Sequence, residues 1–223
     1  GVQETATWPD LIRHPLPTAF DALKAAAREV GSVQIQNVAS VAGNLCNASP
    51  AADGVPALLV LDAEVELLSA ATRRHLPLDD FILGNRRTAL QPGEMVTAIR
   101  VPKPSAAGTS AFIKLGARRY LVISIAMAAA RLVVDNGVVS QAAVAVGACS
   151  AVARRLAGVE AALRGLPANG GLTDAVLSAP IDELSPIADV RGSAEYRLDA
   201  AREILARAVL GALGHAAGDK VAA

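Results

Sequence analysis

The chain reads as an α+β protein built in two units, residues 1–104 and 105–223. Three observations predict this. Of its 223 residues, 52% are apolar and 19% charged, enough to bury a substantial core. Stretches with helical periodicity are interspersed with short stretches of period two. Pro102, Pro104 and the segment 103–108 (KPSAAG) mark an internal boundary near the middle.

Each element has a local signature. The spacing predicts a helix over 19–30, because Phe20, Leu23, Ala27 and Val30 share one face. Thr18 and Asp21 suit a capping box, and Gly31 suits a C-terminal cap. Residues 31–50 read as a loop. A short buried helix follows at 53–61, with Pro56 in its first turn. Residues 64–69 and 73–78 form a hairpin, and 95–101 a strand that the prolines end. A further strand is expected over 111–115. The longest apolar run, 121–134, is interrupted by Ser124 and Arg131, and its alanines suit helix or strand. Asn136-Gly137 is a strong hairpin signal, so this run pairs with 138–146 and is at least partly strand. Helices are then expected at 151–164, stopped by Gly165, and at 172–178. A long one starts after the cap Ser193, with Leu198, Ala201, Leu205, Ala208 and Ala212 facing inward.

Composition narrows the function. Formal net charge is zero and aromatics are 3%, so neither the electrostatic footprint nor the stacking platform of a nucleic-acid binder is present. No apolar run reaches the ~18 residues of a membrane span. The polar first ten residues do not read as a signal peptide. The two cysteines, Cys46 and Cys149, read as buried reduced thiols of a cytoplasmic protein. G-x-S-x-G, H-E-x-x-H, Walker and G-x-G-x-x-G patterns are all missing, so a cofactor would carry any chemistry.

Two stretches suit a cofactor. The first is VASVAGNLCNASPAADG, residues 38–54. Gly43 allows close backbone approach, Ser40, Asn44 and Asn47 offer polar groups, and successive N–H groups can face an anion. Asp53 would repel phosphate and suits a hydroxyl or a ring N–H. A ligand with a diphosphate and a ribose would use both kinds of group. A polar turn leading into a helix capped by Asp53 is the alternative. The second stretch holds Lys114, on the strand face opposite Ile113 and Leu115, with Arg118 and Arg119 beyond. Positive charge beside a redox ring would stabilise its reduced anion. A solvated strand edge with snorkelling stems is the alternative. Arg86, Arg87, Thr88 and Glu94 read as a structural turn.

Residues 30–69, then FILGNRRTALQPGEMVTAIRVP, then FIKLGARRYLVISIAMAAARL, in that order, resemble the FAD-binding (medium) subunit of the molybdenum hydroxylases, the xanthine dehydrogenase and carbon monoxide dehydrogenase type. The resemblance implies a second lobe of a p-cresol-methylhydroxylase-type FAD-binding domain over 1–104. It implies a carbon monoxide dehydrogenase flavoprotein C-terminal-like domain over 105–223. The family's first lobe, with its own glycine-rich phosphate loop, has no counterpart in these residues. Residue by residue, the resemblance places Ser40, Val41, Gly43 and Asn44 along the dinucleotide, Gly31 and Ser32 near the adenine, and Asp53 on the flavin. It also places Val96 against the cofactor, Lys114 at the flavin and Arg118 near the ring. Ala42-Gly43 replaces the family's double glycine, and Gln36 stands where Arg is frequent. The implied role is that of an oxidoreductase subunit working beside its partners. Electrons would pass from molybdopterin through 2Fe-2S clusters on partner subunits to FAD held here, and on to an external acceptor. A folded interaction module that binds no flavin is the other reading, separated from the first by flavin colour. Asp53→Ala and Lys114→Ala are expected to weaken flavin binding or shift its potential without unfolding the chain.

Overall fold

The computed structural model describes residues 2–3, 5–118 and 121–216. The first part runs β1 (Val2–Gln3), α1 (Trp8–Arg13), α2 (Asp21–Glu29), α3 (Val33–Gln36), α4 (Val41–Asn47) and α5 (Gly54–Leu59). It continues with β2 (Glu64–Leu68), β3 (Arg73–Pro77), α6 (Leu78–Phe81), β4 (Ile82–Gly84), β5 (Arg87–Thr88) and β6 (Met95–Arg100). Beyond it come β7 (Thr109–Leu115), β8 (Ala126–Asp135), β9 (Val138–Gly147), β10 (Arg154–Arg155), α7 (Ala157–Leu163), α8 (Leu172–Ser178) and α9 (Ala194–Ala216). One sheet has strand order β1-β6-β2-β3 and another β10-β9-β8-β7, both antiparallel, beside a β4-β5 ribbon.

The second sheet organises the molecule because both its faces are buried. On β8, Ala126, Ala128, Ala130 and Leu132 pack with the α9 residues Ala201, Leu205, Ala208 and Ala212. Met127 and Ala129 face the other way, into a core shared with Leu23, Ala26 and Ala27 of α2 and Ala57 and Leu58 of α5. Alanine on both faces lets helices approach from both sides, which is why an alanine-rich run serves here as a central strand. The β8–β9 hairpin closes at Asn136 (φ 51°) and Gly137 (φ 76°), the two left-handed residues that a type I′ turn requires.

Several expectations need correction. Thr18 does not cap α2. It begins a 3-10 turn, Thr18–Phe20, and its hydroxyl donates to Gly108 O at 2.8 Å. The expected loop 31–50 contains α3 and α4, whose N-caps are Ser32 and Ser40. The expected helix 151–164 is helical only from Ala157, because Arg154 and Arg155 pair with Val146 and Ala145 as an edge strand. Cys149 is buried, its thiol pushed up to about 11 by burial, but Cys46 is exposed. The hairpin 64–78, the α5 and α8 segments, the left-handed Gly31 and Gly165, and the Ser193 cap stand where expected.

Candidate functional site

Alternation along β7 sets the site. Ile113 and Leu115 pack toward α9, so Lys114 shares the opposite face with Phe112, toward α2 and α5. There its ammonium meets Asp53, the residue before α5, with Nζ 2.7 Å from Oδ2. Nζ also donates to Glu29 O at 3.2 Å, at the end of α2. The second carboxylate oxygen of Asp53 accepts from Ser124 Oγ at 2.7 Å. Side-chain exposure is only 7% for Lys114 and 8% for Asp53, so the alternative of a solvated strand edge is overturned. Burial pushes the Asp53 carboxyl above its usual range, against the opposing pull of Lys114 and Ser124. A charge pair this dry is tolerated because both ions are hydrogen-bonded as well as paired.

Beside the pair lies the first turn of α4. Ser40 Oγ accepts from Gly43 N at 3.0 Å, as an N-cap should. Gly43 is exposed, and a Cβ there would meet only Ser40 Oγ, at 3.1 Å. Asn44 Oδ1 is buried and has no hydrogen-bond partner among the described residues. It packs over Gly54, where an added Cβ would also stand 2.6 Å from the Trp8 ring. That close approach ties α4, α5 and α1 into one wall. Val41 is fully buried, so only its backbone faces the turn.

Gly31 and Ser32 lie two and three residues beyond Glu29, whose carbonyl holds Lys114. Gly31 has φ 54°, Ser32 Oγ caps Ile35 N at 3.3 Å, and Gln36 Nε2 donates to Arg28 O and Val30 O. Two expected residues stand apart from the pair. Val96 is 6% exposed within the core, on a strand that touches α4. Arg118 turns its guanidinium onto Leu121 O, with Nε at 3.2 Å. Arg119 lies outside the described residues.

Residues 5–104 match the family described as FAD binding domain in molybdopterin dehydrogenase. Residues 111–212 match the CO dehydrogenase flavoprotein C-terminal domain. The nicotinate dehydrogenase FAD-subunit of Eubacterium barkeri is 33% identical over 204 residues, covering 89% of this chain and 69% of the relative. The chain belongs to the FAD-binding subunits of the molybdenum hydroxylases. The putative xanthine dehydrogenase FAD-binding subunit of Escherichia coli K12 is 28% identical, covering 97% of this chain and 75% of its own length. Among solved structures, reconstituted CO dehydrogenase from Oligotropha carboxidovorans superposes with a TM-score of 0.88 at 26% identity, over 95% of this chain and 74% of that one. This chain is thus an oxidoreductase subunit with the family's α+β architecture.

The residues present fit FAD. The exposed Gly43 leaves a face open to a diphosphate, Asn44 carries an unpartnered buried acceptor, and Asp53–Lys114 supplies a dry, polar, pre-paired end. Two residues here carry little signal of their role in the sequence: Trp8 in this wall and Ser124 on Asp53. The one available signal for Ser124 was that it interrupts an apolar run.

Proposed function

We propose that this subunit holds FAD between the first turn of α4 and the Asp53–Lys114 pair. Electrons reach it from iron–sulfur clusters on a partner subunit, themselves reduced by a molybdopterin subunit, and leave to an external acceptor. The observation that carries the reading is the buried Lys114 ammonium. Lysine is seldom buried unless it is paired, and here Asp53, an α2 carbonyl and the sheet fix its position. FAD, when bound, supplies a two-electron centre. The residues of this chain do the rest. The Ser40–Asn44 backbone and Gly43 give the diphosphate a close approach, Gly31 and Ser32 border the adenine end, and Val96 offers an apolar contact. Asp53 orients the ring end, Arg118 holds the chain beyond β7, and Lys114 favours negative charge on the ring. The two units meet the cofactor together, residues 1–104 supplying the loop and Asp53, and residues 105–223 supplying Lys114.

The test is to purify this subunit with its partners, reduce the iron–sulfur clusters anaerobically and follow the flavin absorbance. The expected result is flavin bleaching after the clusters, and its return when an acceptor such as NAD or a quinone is added. A bound flavin that stays oxidised while the clusters are reduced would overturn the electron route.

A further inference from the structure

The segment that follows β7 has its polarity reversed. In residues 121–124, Leu121 is 54% exposed and Ile123 59%, while the hydroxyl-bearing Ser124 is 1% exposed, buried beside Ile125 at 6%. Hydrophobic burial alone would turn the segment the other way. Its backbone is also strained, because Leu121 has φ 49°, a left-handed conformation that leucine rarely takes. The fold holds this arrangement from three sides. Arg118 Nε donates to Leu121 O at 3.2 Å, and Ile125 N donates to Leu115 O at 2.8 Å. The buried Arg197, itself paired with Asp189 at 2.7 Å, donates through Nη1 to Ile125 O. Val122 fits against Gly116, where a Cβ would come within 2.5 Å of its Cγ1.

What this clamped strain delivers is one hydrogen bond, Ser124 Oγ to Asp53 Oδ1 at 2.7 Å. Strain that the surroundings over-determine concentrates at functional sites. We propose that Ser124 is a positioning residue of the flavin site. Its hydroxyl fixes the rotation of the Asp53 carboxylate and shares its negative charge, so that Asp53 does not draw wholly on Lys114. Arg118 acts on the same segment, by holding the Leu121 carbonyl, rather than by touching the ring. The inference rests on the reading of Asp53 and Lys114 as flavin contacts.

The test compares Ser124→Ala and Ser124→Cys with the wild-type chain loaded with FAD. A thiol is somewhat larger than the hydroxyl and a much weaker donor, so the cysteine variant fills the site that alanine empties while losing the strong bond. Both variants are expected to bind FAD about tenfold more weakly, as fits one charge-assisted hydrogen bond. Without the hydroxyl, Asp53 leans fully on Lys114 and the positive field at the ring falls. The flavin midpoint potential then moves about 30 mV negative, the two-electron equivalent of a tenfold change. Wild-type affinity and potential in Ser124→Cys would overturn the inference, because packing alone would then account for the residue. Asp53→Asn measured alongside separates the two levels. If it shifts the potential while the Ser124 variants do not, only the positioning role fails. If Asp53→Asn is also without effect, the flavin-site reading itself fails.

Discussion

Removing Lys114 should cost far more stability than the sequence suggested. Lys114→Met keeps the apolar stem and deletes the ammonium 2.7 Å from Asp53 Oδ2, leaving an 8%-exposed carboxylate with Ser124 as its remaining side-chain donor. Breaking a buried pair from one side costs about 3–5 kcal/mol, because the remaining charge stays desolvated. At ~2–4 °C per kcal/mol for a protein of this size, that lowers Tm by about 10 °C. The variant is still expected to fold, with a smaller stability margin.

The deficit depends on pH in a defined sense. Burial already raises the folded pKa of Asp53 above 3.8, and losing Lys114 raises it further. A raised carboxyl pKa means that the folded state binds the proton more tightly than the unfolded state does. The stability this contributes is whole below the unfolded value and is lost as pH rises through the folded one. The Lys114→Met deficit is thus larger at pH 8 than at pH 5. The double variant Asp53→Asn/Lys114→Met removes the stranded charge and should recover more than half of the loss. Urea unfolding at both pH values gives the free energies, and a thermal melt gives the Tm shift. An equal deficit at pH 5 and pH 8, with no recovery in the double variant, would refute the reasoning.

Other outcomes follow from the same structure. Gly43→Val should abolish FAD retention while shifting the unfolding midpoint little, since a Cβ there meets only the Ser40 hydroxyl, at 3.1 Å, on an exposed turn; FAD content against a thermal melt separates the two effects. Arg131→Met should destabilise by about 3 kcal/mol in denaturant unfolding. It strips the donor from Val60 O (2.7 Å) and Ala107 O (3.2 Å), where a buried arginine joins the end of α5 to the second sheet. Glu66 is held down to about 2 by Thr97 (2.8 Å), with Arg100 and His75 adding to it. The stability this lends is present above the usual value of 4.5 and lost as pH falls toward 2, so acid unfolding of Glu66→Gln should lack that slope.

What was legible in the sequence was local. The Asn136-Gly137 turn and the stops at Gly31 and Gly165 are set by backbone conformations that few residues adopt, and the Ser193 cap by a side-chain oxygen that accepts from Tyr196 N, so residue type alone exposed them. The side of β7 that carries Lys114 followed from strict alternation. Pairings at long sequence separation were not legible. Asp53 and Lys114 were each picked out as polar residues suited to a flavin, but nothing in their neighbourhoods shows that they meet across 61 positions. Arg154 and Arg155 sit in a stretch with helical composition, and only pairing with β9 makes them a strand. The interruptions of the apolar run at 121–134 were informative in a way that periodicity cannot decode. Ser124 and Arg131 are both nearly fully buried, and each bonds a partner from the first half of the chain.

The most direct measurement is a titration of FAD into the purified chain, read by flavin fluorescence and the visible spectrum. The account predicts saturable binding with quenched fluorescence and a structured, shifted flavin band, lost in Gly43→Val and weakened in Asp53→Asn. A folded chain that leaves added FAD with its free-solution spectrum would contradict it.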